Sequence, residues 1–163
     1  MTTNQDTNDS LATLPPLPDI SFDHTGFITP DIHASVQFWQ DILGFEAQPI
    51  GERRQEWIGG FMGVKDAQVR LVHLFGHGSH IEFIQIDTPY DDVAITRASQ
   101  GNVAHICLMT SDVDSLRARI LAGGGSEQGR MVFITEGIAK GRRGLYMMDP
   151  HGVLIEIVEK PQS

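Results

Sequence analysis

Apolar and polar positions along this chain change their period in the same order twice. A strand pattern runs from about Phe22 to Ile28, and Thr29-Pro30-Asp31 then supplies a turn and a helix start. Ile32, Val36, Trp39 and Leu43 recur at helical spacing and stop at Gly44. Three strand-like stretches follow, at roughly 46–58, 67–75 and 79–86, separated by Gly-rich turns. The second half repeats this order. A strand covers Ala104 to Met109, and Ser111 or Asp112 caps a helix carrying Val113, Leu116 and Ile120. That helix ends at Gly123-Gly124-Gly125, before strands near 130–135, 144–148 and 153–158. The pattern predicts βαβββ twice, an α+β fold with antiparallel or mixed sheets. Module one spans about 20–90 and module two about 101–160.

The repetition reaches individual residues. His77-Gly78-Ser79-His80-Ile81-Glu82 returns as His151-Gly152-Val153-Leu154-Ile155-Glu156, and the segment from His24 returns from His105. Each half therefore offers one histidine on an early strand and one glutamate on a late strand. Alternation turns Ile81 and Phe83 to one side and His80, Glu82 and Ile84 to the other. It turns Ala104, Ile106 and Leu108 away from His105, Cys107 and Met109. A glutamate inside Val-Leu-Ile-Glu-Ile-Val is costly to desolvate without a charged partner or a metal. Two such glutamates and two histidines in matched places favour one divalent metal site made by His24, Glu82, His105 and Glu156. Imidazole and carboxylate donors suit Ni, Co, Zn, Mn or Fe.

Charge and composition narrow the partners. The formal net charge of −9 disfavours a nucleic-acid surface. Arg53-Arg54 and Lys140 to Arg143 are short basic clusters expected at the solvated surface. Cys107 is the only cysteine, so no internal disulfide forms, and it is expected to be a small buried packing residue. No apolar run approaches the roughly 18 residues of a membrane span, and no signal-peptide pattern opens the chain. Cytoplasmic residence is the expectation. Residues 1–19, rich in Thr, Asn, Asp and Pro, read as a flexible N-terminal arm.

Asp23-His24-Thr25, Phe38 through Phe45, His80-Ile81-Glu82-Phe83, Ala104-His105-Ile106 and Asp149 through Glu156 resemble the vicinal oxygen chelate superfamily. That superfamily includes glyoxalase I, methylmalonyl-CoA epimerase, extradiol dioxygenases and the fosfomycin and bleomycin resistance proteins. The resemblance covers about residues 20–160 and implies two βαβββ modules whose sheets curl into a cup around the metal, often completed in a homodimer. It sets His24, Glu82, His105 and Glu156 on the four ligand positions of the glyoxalase and epimerase members.

Four protein ligands on an octahedral ion leave two positions for neighbouring oxygens of a small-molecule substrate. The ion then acts as a Lewis acid for an enediolate formed when a proton leaves the carbon beside a carbonyl. Glu156 is the first choice as catalytic base and Glu82 the second. The expected activity is that of a metal-dependent lyase or isomerase, glyoxalase I-like or acyl-CoA epimerase-like. Two alternatives stand beside it. An Fe(II) extradiol-type dioxygenase needs His24, His105 and Glu156 only, and Glu82 occupies a place that dioxygen requires. A drug- or metabolite-binding resistance protein needs no chemistry and often lacks the ligands. Glutathione-directed glyoxalase activity is disfavoured by Ile28 and Ile86 where the family carries an arginine and an asparagine. His77 and His151 are expected at exposed turns, Gln85, Arg70, His73 and Tyr146 along the cavity, and Met147, Met148 and Phe133 in packing.

Overall fold

The computed structural model describes residues 17–87, 98–99 and 101–161, so most of the expected N-terminal arm and the end of module one lie outside the described residues. Module one consists of β1 (Thr25–Ile28), α1 (Ile32–Asp41), β2 (Glu46–Ala47), β3 (Gly51–Arg53), α2 (Trp57–Met62), β4 (Val69–Gly76) and β5 (Ser79–Ile86). Module two consists of β6 (His105–Thr110), α3 (Val113–Ala122), β7 (Ser126–Glu127), β8 (Val132–Phe133), β9 (Arg143–Met148) and β10 (Leu154–Glu159). Each forms a five-stranded mixed sheet, ordered β1-β5-β4-β2 with β3 also on β4, and β6-β10-β9-β7 with β8 also on β9. The first and last strands of each module pair in parallel, and the rest pair antiparallel.

Side-chain caps set both long helices. Asp31 accepts from the amides of His33 and Ala34 at 3.0 and 3.1 Å, and Gln85 Oε1 accepts from the Ile32 amide at 2.9 Å. Gln85 thus anchors α1 to β5. Asp112, the second of the two capping candidates, accepts from the Ser115 amide at 2.9 Å. Arg119 of α3 donates to the carbonyls of Asp41 and Ile42 at 2.7 and 3.1 Å and so closes the C-terminus of α1 across the module boundary.

The expected strand over 46–58 is a correction. Pro49, without an N–H to give a ladder, separates the short β2 from β3. Residues from Trp57 onward form α2 instead, which ends where Gly63 adopts φ +68°. Ile58 of α2 closes a small second core with Ala67 and Val69.

The main core belongs to both modules. Ile32, Trp39, Val72, Leu74, Ile81 and Phe83 from module one join Ile120, Met147, Ile155 and Ile157 from module two, each fully buried. Each large aliphatic or Phe side chain in such a place contributes about 1.5–3 kcal/mol. Trp39 donates to Asp149 Oδ2 at 3.1 Å, and the buried Asp149 also accepts from the amides of His151 and Val153, both at 2.9 Å. Module two closes on the end of α1 at Gly123, where a Cβ would stand 2.5 Å from the Ile42 side chain. The helix side of each sheet is consumed by this shared core. The opposite sides remain for chemistry.

Candidate metal centre

Both histidine–glutamate pairs occupy one register. Gly26 faces Glu82 across β1 and β5, and Cys107 faces Glu156 across β6 and β10; the histidine lies two residues earlier in each case. A two-residue step returns the side chain to the same side of a strand. His24 Nε2 accordingly stands 3.3 Å from Glu82 Oε2, and His105 Nε2 stands 3.2 Å from Glu156 Oε2. At Gly26 a Cβ would come within 3.8 Å of Glu82 Oε2, so a bare backbone keeps this side open.

These separations suit a metal. Two donors each about 2.1 Å from one ion lie roughly 3.0–3.4 Å apart when they subtend 90–109°. Either pair fits as adjacent ligands. The two pairs do not meet within the chain: among the described residues no third member of the quartet joins either pair with donor atoms within 4.8 Å of one another.

The surroundings of the pairs differ. On β4, His73 faces Glu82 in the ladder, with its Nε2 3.7 Å from Glu82 Oε1 and its Nδ1 3.0 Å from His80 Nε2. Asp23 Oδ2 is 2.6 Å from His24 Nδ1; this hydrogen bond holds the Asp23 carboxyl below the usual range and raises His24. On β9, the residue facing Glu156 is Tyr146, whose hydroxyl donates to Glu156 Oε2 at 3.3 Å and lies 3.5 Å from His105 Nε2. Burial, then the Glu156 charge, pushes the Tyr146 hydroxyl up. The His105 and Glu156 side chains are 42% and 25% exposed against 31% and 13% for His24 and Glu82, so the second pair is the more open.

Several expectations are revised. Cys107 is exposed, because its place beside Glu156 puts it on the open side with His105 and Met109; burial of part of the thiol, and then Glu156, raise its pKa. Phe133 is 64% exposed on the short β8 and packs into no core. Arg70 is tied to Asp87 at 2.9 Å. His77 is exposed as a turn residue with φ +52°, yet its Nε2 donates to the Leu43 carbonyl at 2.7 Å. His151 is half-buried, with Nε2 enclosed and without a hydrogen bond. Arg54 pairs with Glu52, and Arg143 with Glu159 and Asp114, as surface ion pairs.

The sequence pattern assigns no role to His80 or Asp23 and gives His73 only a place along the cavity. A signal was present: a tight turn at His77-Gly78 pairs β4 with β5 so that His73 must fall opposite Glu82.

Residues 21–157 match the model of the Glyoxalase/Bleomycin resistance protein/Dioxygenase superfamily. The chain belongs to this superfamily. It is 25% identical over 141 residues to the mitochondrial methylmalonyl-CoA epimerase of Dictyostelium discoideum, covering 84% of this chain and 76% of that protein. It is 22% identical over 148 residues to the 2-epi-5-epi-valiolone epimerase of an Actinomyces species, covering 87% and 80%. A glyoxalase family protein from Bacillus cereus shares its fold with a TM-score of 0.72 at 18% identity, over 91% of this chain and 99% of that one. A fosfomycin resistance protein from Listeria monocytogenes, solved with Mn(II) and sulfate, does so with a TM-score of 0.56 at 17% identity, over 86% and 93%. Members of the superfamily typically bind a divalent metal, and the imidazole–carboxylate pairs here fit that donor chemistry. Among the described residues no helix is long and apolar enough to cross a membrane.

Proposed function

We propose that the chain is a divalent-metal-dependent isomerase or lyase that moves a proton on the carbon beside a carbonyl, with epimerisation the favoured outcome. The observation that carries this reading is the repeated pair: one imidazole nitrogen and one carboxylate oxygen at adjacent-ligand distance, in the same register of both sheets. His24, Glu82, His105 and Glu156 hold the ion. When bound, it supplies Lewis acidity that lowers the cost of negative charge on the substrate's carbonyl oxygen.

Glu156 is the base. Glu82 is enclosed between His24 and His73 and is the less exposed carboxylate, whereas Glu156 has one imidazole, one hydroxyl and more open space. A carboxylate that swings free with little desolvation takes a proton from carbon and returns it. Tyr146 steadies Glu156 and lies within reach of His105. Both epimerases among the relatives favour stereochemical inversion over other proton transfers.

The two pairs lie on separate sheets whose core-side surfaces are already joined. In this reading each metal site takes one pair from each of two copies, so the working unit is a homodimer. Exposed Met109 and Ile28, on the His105 side of β6 and the Glu82 side of β1, fit the apolar border of such a contact.

Metal analysis and deuterium exchange test the proposal together. Purified protein should hold a stoichiometric divalent ion and incorporate solvent deuterium beside the carbonyl of acyl-CoA thioesters or 2-hydroxyketones, and chelation should stop this. Oxygen uptake on catechols with Fe(II), or exchange untouched by chelation, overturns it.

A further inference from the structure

We propose that module one carries a second cation site at its rim, formed by Asp23, His24 and His80, which takes a Zn2+-class ion without help from module two. Among the described residues, Asp23, His24 and His80 make up the group of three or more His, Cys, Asp or Glu side chains whose ligand atoms lie within 4.8 Å of one another. Asp23 joins them. Its Oδ2 is 2.6 Å from His24 Nδ1, and its main-chain carbonyl is 3.2 Å from His80 Nδ1. The Nδ1 edges of both imidazoles thus face the same residue.

The remaining ring nitrogens supply a second, independent observation. An imidazole bound to a metal through one nitrogen donates its other N–H to a neighbouring acceptor, which fixes ring and tautomer. Both rings have that acceptor already in place. His24 Nε2 faces Glu82 Oε2 at 3.3 Å, and His80 Nε2 faces His73 Nδ1 at 3.0 Å. Phe75 stacks on the His80 ring at 4.3 Å between centroids and restricts its rotation. Two oriented imidazoles and one carboxylate suit a borderline ion such as Zn2+ over Mg2+ or Ca2+. The Asp23 side chain is 79% exposed, which leaves room for water to complete the shell.

This site is a departure from the duplicated frame. The module-two counterparts of Asp23 and His80, one residue before the histidine and two before the glutamate, are Ala104 and Leu154. Neither binds a metal. The rim site also uses Nδ1 of His24, while the proposed catalytic ion uses Nε2. An ion at the rim therefore turns Nε2 into an N–H aimed at Glu82 and withdraws that ligand from the other site.

The test uses the full chain carrying His105→Ala and Glu156→Ala, which removes the module-two pair and leaves every rim residue in place. Zn2+ is titrated against a chromophoric chelator, with circular dichroism as the control for folding. One Zn2+ per chain is expected to remain, and His80→Gln or Asp23→Asn should each weaken it roughly 10-fold or more. Histidine 15N spectra should move at Nδ1 of His24 and His80 when Zn2+ is added. A folded double variant that binds no Zn2+, binding unaltered by His80→Gln, or spectral changes confined to Nε2 would each overturn the proposal. Failure of the catalytic reading shows separately, as deuterium exchange by the wild-type protein that chelation leaves untouched.

Discussion

Module one and module two share a register and differ in what they place around it. Module one turns from β4 to β5 through His77 and Gly78 alone and sets His73, His80 and Asp23 about its His24–Glu82 pair. Module two takes the longer route from Asp149 to Val153, and around His105–Glu156 it has a phenol and a thiol. Duplication fixes the backbone positions at which donors meet. The residues around those positions decide which carboxylate is the more enclosed. In this structure the imidazole-rich half holds its glutamate, and the phenol-bearing half leaves its own more open.

The sharpest test of that difference is turnover in Glu156→Gln beside Glu82→Gln. Glu156→Gln should lower kcat by about 10²–10⁴-fold, the scale of lost general base catalysis, with the thermal midpoint nearly unchanged. Glu82→Gln should act mainly through metal retention, so saturating metal should restore part of its activity. Equal and unrescued losses in both variants would erase the functional asymmetry.

A second test concerns the longer turn. Asp149 accepts from Trp39 and from two amides of its own turn while 3% exposed. Asp149→Ala strands those donors and should cost about 2–4 kcal/mol of stability, read from denaturant unfolding. Trp39→Phe removes one of the bonds and part of the packing, and should cost less than Asp149→Ala. If Asp149→Ala unfolds at the wild-type midpoint, this junction does not hold the modules together.

The residue facing each glutamate gives a smaller effect. Tyr146→Phe keeps the ring against His105 and deletes the hydroxyl that donates to Glu156. Activity should fall roughly 10-fold, as for other residues that orient a metal ligand, while Zn2+ binding by module one stays intact. A Tyr146→Phe enzyme with full activity would show that Glu156 needs no such support.

Much of this was legible in the sequence because it depends on local periodicity. The repeat of His24 in His105 and of Glu82 in Glu156, read with two-residue alternation, puts each pair on one side of its sheet. Both long helices follow from their apolar spacing, the first started by Thr29-Pro30-Asp31 and the second capped by Ser111 or Asp112. What escaped depends on partners distant in sequence. Cys107 reads as a small core residue until β10 places Glu156 beside it. Gln85 reads as cavity lining until α1 offers it the Ile32 amide. Trp57 and Ile58 read as the end of a strand because two apolar residues define no period, while in the fold Ile58 packs with Ala67 and Val69 from a helix. The proposed meeting of the two pairs between copies leaves no periodic trace in one chain, whose modules join through the core on the helix side of their sheets.

The helix caps provide the gentlest comparison. Asp31 is held below the ordinary carboxylate value of 3.8 chiefly by the Ala34 amide, and Asp112 chiefly by the Ser115 hydroxyl and then its amide. In both, the folded value lies below the unfolded one, so the caps stabilise the fold fully above about pH 4 and lose that contribution as pH falls through the depressed values. Asparagine caps a helix almost as well and does not titrate. The wild-type midpoint should therefore exceed that of Asp31→Asn or Asp112→Asn at neutral pH, and the gap should close in thermal scans below pH 4. Ser115→Ala should shrink the gap for Asp112 and leave the gap for Asp31 alone, because the Ser115 hydroxyl donates to the Asp112 carboxylate at 2.6 Å. A gap that persists at low pH, or that Ser115→Ala narrows in both modules, would mean the two caps are not the independent, differently built devices their hydrogen bonds describe.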